Sequence, residues 1–417
     1  MNEAISETAL IPRRAEMESI IRKHIKPVKR TEWLPFMAAC GRVCAEDVFS
    51  RNTLPNYPAS RFDGIAVRYA DFEKGKPDTA GWLLGKEYEY CNTGIAMPEG
   101  YDTIIAIEDV TIYDTGVEVH ELPEHRGEMV NEVGGNMTAG ERLISKGAVV
   151  VPAHIGLFAS GGVGKVCVYA KPRLAIIPTG DELVSPTDSV PIGKNVESNS
   201  FMIAAYLDAW GAEALVLPIV HDDPAAITDA LKTALAENDA VIIIAGSSLG
   251  TKDFTIRTLR ELGEVVVPEL AHGPGRKSSL SMVGGKPALG IAGPPLGAQI
   301  TCDLYLAPFI SALRGLPNIE MQRITVISDD DFKEHDVDFC ERVHIYKAKE
   351  GYRMLSVFAL ETTRSQMQAL ANGNFYREAG TYCKKGDLAT VELLCPIEYI
   401  LDGVADRDEA ISWLNRR

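Results

Sequence analysis

Residues 173–182 read Arg-Leu-Ala-Ile-Ile-Pro-Thr-Gly-Asp-Glu. An apolar run this short, closed by Pro-Thr-Gly, predicts a buried strand ending in a turn rather than a helix. Moving outward, 200–211 (SFMIAAYLDAWG) predicts a helix closed by Gly211, 214–220 (ALVLPIV) a strand and 224–238 (PAAITDALKTALAEN) a helix. Next come the apolar run 240–246, a glycine-containing turn, a helix over 253–263, strands over 264–270 and 287–293, and a last helix over 296–315. Strands alternating with helices predict a doubly wound parallel α/β sheet, which receives ligands at the carboxyl ends of its strands.

The flanks have a different texture. Residues 13–27 place Met17, Ile20, Ile21 and Ile25 at helical spacing before Pro27, an amphipathic helix. From 51 to about 133 short apolar runs alternate with Gly, Pro, Asp and Asn, a β-rich insertion. Residues 138–172 hold a strand-like AVVV, a short helix and the strand VCVYA, and short β-like runs return beyond Leu316. The 417 residues exceed one ordinary domain. The changes of texture mark a β-rich insertion, the α/β segment and a small separate β domain beyond Leu316.

A formal net charge of −16 opposes general binding to a phosphate backbone, so no nucleic-acid partner is expected. Cys40, Cys44, Cys91, Cys167, Cys302, Cys340, Cys383 and Cys395 are scattered without paired zinc-site spacing, which suits reduced thiols. The first residues lack the basic-then-apolar order of a secretory signal. Gly147–Ala170 is interrupted by Pro152, His154 and Lys165, too polar for a membrane span. A cytoplasmic protein without a membrane partner is expected.

Three strand-to-loop junctions carry groups suited to chemistry. Thr179-Gly180-Asp181-Glu182 would present a hydroxyl and two carboxylates to the crevice, and plain turn chemistry explains it equally well. Gly246-Ser247-Ser248-Leu249-Gly250-Thr251-Lys252-Asp253 leads into a helix whose free N–H groups suit phosphate. Gly273-Pro274-Gly275-Arg276-Lys277-Ser278-Ser279 offers cations and hydroxyls to an oxyanion. Asp222-Asp223-Pro224 reads first as a helix cap and second as a site. Asp63-Gly64 is compatible with a simple turn.

Together these pieces resemble the MoeA family, the molybdopterin molybdenumtransferases related to the E domain of gephyrin. Ser60-Arg61-Phe62-Asp63-Gly64-Ile65-Ala66-Val67 is similar to the family's Ser-Ala-Met-Asp-Gly-Tyr-Ala-Val signature. Asn92-Thr93-Gly94, Pro98-Glu99-Gly100, Glu108-Asp109, 152–157, 179–184 and Glu197-Ser198-Asn199 match further family stretches in order, with Glu197 at a usual Asp. The resemblance runs from about residue 12 to 400. Three loops depart from the family pattern: Gly246–Asp253 is shortened, Gly273–Lys277 stands for Lys-Pro-Gly-Lys-Pro, and Ala292–Gly297 stands for Pro-Gly-Asn-Pro-Val-Ser. Asn136 also replaces an acidic residue.

The resemblance implies four units, a small discontinuous linking domain (1–50 and 138–172), the inserted β-rich domain (51–137), the molybdopterin-binding α/β domain (173–316) and a C-terminal β barrel (317–417), and a homodimer with sites shared between subunits. The implied reaction inserts molybdate into adenylylated molybdopterin and releases AMP, assisted by Mg2+. Other proteins of molybdenum cofactor biosynthesis are implied partners. Carried onto matching positions, Asp63, Thr93, Glu182 and Asp253 are the catalytic group, and Asp181, Glu182 and Asp253 hold the cation. Thr179, Gly180, Ser198, Asn199, Gly246, Ser247, Ser248, Arg276, Lys277 and Ser278 bind the pterin, phosphate and oxyanion. The alternative is a non-catalytic paralogue that binds molybdopterin or serves as a dimeric scaffold.

Overall fold

The computed structural model describes residues 11–245, 251–363 and 369–416, with residues 245 and 251–254 described in backbone only. It contains two compact units, Arg30–Tyr169 and the combination of Met1–Lys29 with Ala170–Arg417. Helix α1 (Arg14–His24) belongs to the second of these.

In the Arg30–Tyr169 unit, strands β1 (Thr31–Pro35) and β5 (Lys165–Tyr169) form an antiparallel ribbon, and α2 (Pro152–Ser160) buries Phe158 beside Leu143, Val150, Val166 and Val168. A second core, with Ile65, Val67, Trp82 and Ile105, lies around a three-stranded sheet of β2 (Gly64–Val67), β3 (Glu89–Cys91) and β4 (Thr103–Ala106). Gly64 is obligatory there, because a Cβ would stand 2.1 Å from the carbonyl oxygen of Ile105. The close pairing it permits sets the start of β2 and thereby the direction in which Asp63 leaves the sheet.

The other unit is built on β6 (Arg173–Pro178), β7 (Glu213–Val216), β8 (Ala240–Ala245), β9 (Gly263–Val267), β11 (Ser279–Val283) and β12 (Lys286–Ala292); β10 (His272–Gly273) lies outside this sheet. Their order is β7-β6-β8-β12-β11-β9. Alternate residues explain the double winding. Leu174, Ile176, Ile242 and Ile244 join Ile203 and Leu207 of α3 (Asn199–Ala209), while Ala175, Ile177, Val241 and Ile243 join Ile227 and Leu231 of α4 (Pro224–Glu237) and Leu259 of α5 (Thr251–Leu262). Each fully buried Ile or Leu contributes roughly 1.5–3 kcal/mol, so both faces require helical cover.

Two expectations are corrected. The sheet is mixed, not all parallel: β7, β6, β8 and β12 are parallel, whereas β11 and β9 are antiparallel additions. The Gly284-Gly285 turn, with both φ positive, folds β11 directly back on β12 as a hairpin. Ser279 therefore starts a buried strand rather than an open loop. Helix α1, expected with the linking segment, buries Met17 and Ile21 in the core shared with α6 (Pro295–Arg314), and Val28 N–H donates to Leu313 O at 2.8 Å. Its apolar stripe finds its partner there.

Strands β13 (Arg323–Ser328), β14 (Asp338–Ala348), β15 (Gly351–Ser356), β16 (Gly373–Arg377) and β17 (Leu388–Leu393) close into a five-stranded barrel in the order β14-β15-β13-β17-β16 and back to β14. Val326, Val343, Met354, Phe375 and Val391 fill it. A buried triad joins barrel and helix: Arg342 of β14 pairs with Asp303 of α6 at 2.7 Å, and Asn374 of β16 bonds both residues.

Removing Asp303 would leave the Arg342 guanidinium buried without its counter-charge. Asp303→Ala is expected to cost about 3–5 kcal/mol, measured by urea unfolding of the full chain. A loss below about 1 kcal/mol would show that the triad is not the joint between helix and barrel.

Candidate functional site

The carboxyl ends of β6, β8 and β12 open on a cleft of about 340 Å³ whose lining includes Thr179, Glu182, Asn195, Glu197, Ser198, Asn199, Ile244 and Gly293. Thr179 terminates β6 by donating both its amide (3.0 Å) and its hydroxyl (2.9 Å) to Ile244 O at the end of β8. That hydroxyl, expected to face a ligand, is spent on the fold. Gly180 follows with φ 149°, and a Cβ there would lie 2.8 Å from the Glu182 carboxylate. The missing side chain makes room for Glu182, whose carboxylate has no bonded partner among the described residues.

Asp181 takes a different course. Its carboxylate meets His221 Nδ1 at 2.7 Å, a contact that holds it below the ordinary carboxylate range, and it does not line the cleft. Of the three residues expected to hold a cation, Asp181, Glu182 and Asp253, the first is engaged by His221 in this structure. Asp223 caps α4 by accepting Ala226 N–H at 2.8 Å, as Asp before Pro suggested. Asp222 faces the Asp181 amide at 3.4 Å.

The opposite wall begins at α3. Glu197 is buried and receives both the amide (2.8 Å) and the hydroxyl of Ser200, so it serves the start of the helix. Asn199 reaches across the cleft and donates from Nδ2 to Gly293 O, beyond the end of β12, at 2.7 Å. Gly246, Ser247 and Ser248 lie outside the described residues, as does the side chain of Asp253.

The third loop differs from its expected chemistry. Arg276 and Lys277 both bind Glu269, at 3.0 and 3.3 Å, and these cations hold the Glu269 carboxyl below its ordinary range against the opposing effect of burial. Ser278 is fully buried, contacts Thr301 Oγ1 at 3.0 Å and accepts from Ala292 N at 3.2 Å. Instead of two unpaired cations and two open hydroxyls, the loop has one shared carboxylate and inward-facing serines. Glu269 and His221 were missed because composition shows charges but not their pairing; the only clue was a lone acid or imidazole a few residues from an assigned group.

On the Arg30–Tyr169 unit, Asp63 and Thr93 come together at an exposed turn, where the Thr93 amide (2.7 Å) and hydroxyl (2.9 Å) both donate to Asp63 Oδ1. The amide first and the hydroxyl second hold the Asp63 carboxyl below its ordinary range. Among the described residues no cluster of three or more His, Cys, Asp and Glu groups could hold a metal by itself. A second cavity, about 470 Å³, lies between α1 and the barrel, but there Arg14 and Arg323 both bind Glu392 and exhaust much of its charge internally.

Residues 13–162 match the MoeA N-terminal region (domain I and II), and residues 175–312 match the "Probable molybdopterin binding domain". A molybdopterin molybdenumtransferase from Nostoc is 30% identical, over 69% of this chain and 70% of its own. One from Haemophilus influenzae is 29% identical, over 69% and 74%. Two structures of a molybdopterin biosynthesis MoeA protein from Pyrococcus horikoshii share the fold, with TM-scores of 0.73 and 0.71 at 22% and 21% identity, covering 93% and 92% of this chain and 100% of theirs.

The Asp63–Thr93 contact has a defined pH signature. A lowered folded-state value means that the stabilisation is present above the ordinary carboxylate range and is lost as pH falls through that lowered value. Thr93→Val keeps the amide but removes the hydroxyl, so the Asp63 titration should move upward, read from its carboxyl carbon by NMR. An unchanged midpoint would mean that the hydroxyl does not hold the carboxylate.

Proposed function

The chain belongs to the MoeA family, and from that premise we propose that it inserts molybdate into adenylylated molybdopterin with release of AMP. The matched domains and the relatives' shared name support a transferase of molybdenum cofactor biosynthesis. The observation that carries the assignment to a place is the cleft at the carboxyl ends of β6, β8 and β12, bounded by Glu182 and the start of α3. Crevices of this kind receive nucleotide and phosphate ligands in wound α/β sheets.

The residues divide the task by chemistry. Gly180 supplies backbone that can approach a phosphate closely, and Ser198 supplies an exposed hydroxyl at the start of α3. Magnesium takes few protein carboxylates together with phosphate oxygens, and the uncommitted carboxylate of Glu182 fits that donor set. Bound there, the cation would neutralise charge on the pyrophosphate linkage. Asp181 joins only by giving up His221, and Asp253 is retained as a ligand on the family resemblance. Arg276 and Lys277 meet an oxyanion only by sharing or releasing Glu269.

Asp63 and Thr93 supply an ionised, pre-oriented carboxylate, which we assign to the cleft of a second copy of the chain in a homodimer. A cytoplasmic setting accords with eight free cysteines.

Incubation of the full chain with adenylylated molybdopterin, molybdate and magnesium should release AMP. Glu182→Gln should reduce that rate on the order of a hundredfold while changing stability by no more than about 0.5 kcal/mol. Proportionate loss of melting temperature and activity would make Glu182 a turn residue, and no AMP release by the parent protein would overturn the functional assignment.

A further inference from the structure

The Asn199 side chain determines which hydrogen-bonding groups its wall of the cleft offers. Its residue is 8% exposed and lines the cavity, and its Nδ2 is committed to Gly293 O at 2.7 Å. A carbonyl can only accept, so this contact assigns the amide orientation: the nitrogen faces Gly293 and the oxygen is left. Oδ1 has no hydrogen-bond partner among the described residues. The clamp therefore holds an acceptor in place on the wall of the cleft.

We infer that Asn199 is a specificity-determining residue whose Oδ1 accepts a hydrogen bond from an exocyclic amino group of the substrate. This rests on the cleft being the substrate site. A fixed acceptor on the cleft wall favours an N–H donor and disfavours a carbonyl oxygen at the same place, because two acceptors would face each other without a proton. Adenylylated molybdopterin carries such an amine at two places, the adenine ring and the pterin ring. Their common chemistry is a planar heterocycle with an amino group on a ring carbon. The strut to Gly293 has a second effect, since it ties the start of α3 to the loop entering α6 and holds the two walls at one separation.

The test compares ligands that differ at the amine. Binding of AMP against IMP, and of pterin against lumazine, is measured by calorimetry on the full-length dimer or monomer as purified. The amino member of at least one pair should bind about three- to tenfold more tightly, the strength of one ordinary hydrogen bond. An AMP preference identifies adenine as the source, and a pterin preference identifies the pterin. In Asn199→Ala the preference should vanish, with the amino ligand weakened to the level of its oxo analogue. A purely structural strut would instead weaken both members equally and lower the melting temperature. The inference is overturned if the parent protein discriminates neither pair, or if Asn199→Ala keeps the preference. Should Asn199→Ala not fold, Asn199→Ser provides the same comparison. AMP release with magnesium and molybdate remains a separate measurement, so turnover without amine discrimination rejects this inference and leaves the reaction standing.

Discussion

The paired donation from Thr179 to the carbonyl oxygen of Ile244 is the contact on which the cleft depends. Parallel strands bring their carboxyl ends to one edge, but a ligand crevice also requires the chain to leave that edge at a defined residue. Thr179 provides this by spending amide and hydroxyl on one acceptor, which ends β6 level with β8. Gly180 can then turn without a Cβ, and Glu182 occupies the space that a side chain would have taken. A threonine that looks like a ligand residue acts one step earlier, by setting the turn that presents a carboxylate.

The same economy governs the charged groups around the cleft. His221 engages Asp181, Glu269 engages Arg276 and Lys277, and Glu197 receives the first turn of α3. Each pairing satisfies a formal charge within the protein. Glu182 and the acceptor of Asn199 carry no such pairing among the described residues, and both are positioned by backbone features. Helix α6 begins beside this cleft and, eight residues later, places Asp303 in the buried contact with Arg342 of the barrel. The cleft wall and the barrel are consequently tied to one buried helix, at its start and near its middle.

Much of this was legible in the sequence because burial leaves strong patterns. The runs 174–177 and 240–244 had no exposed face to hide them, and Asp223-Pro224 announced the start of α4 through its capping chemistry. The family resemblance pointed to the turn at Thr179 and the start of α3, and the structure brings both to one cleft. Their atomic roles were less accessible. Arg276-Lys277-Ser278-Ser279 has the composition of a solvated loop, yet the turn at Gly284-Gly285 draws Ser279 into a strand and buries Ser278. Helix α1 showed its apolar stripe but not its partner, because amphipathic periodicity says which face is covered and not by what. Pairings such as Asp181 with His221 span about forty residues, and no local pattern encodes them.

The most direct measurement of the account is a crystal structure of the chain with AMP bound. The nucleotide should lie in the cleft at the ends of β6, β8 and β12, with its phosphate near the Gly180–Glu182 turn and its base within reach of the wall formed by Asn195–Asn199. AMP seated in the charged cavity between α1 and the barrel, with the cleft left empty at saturating nucleotide, would contradict it.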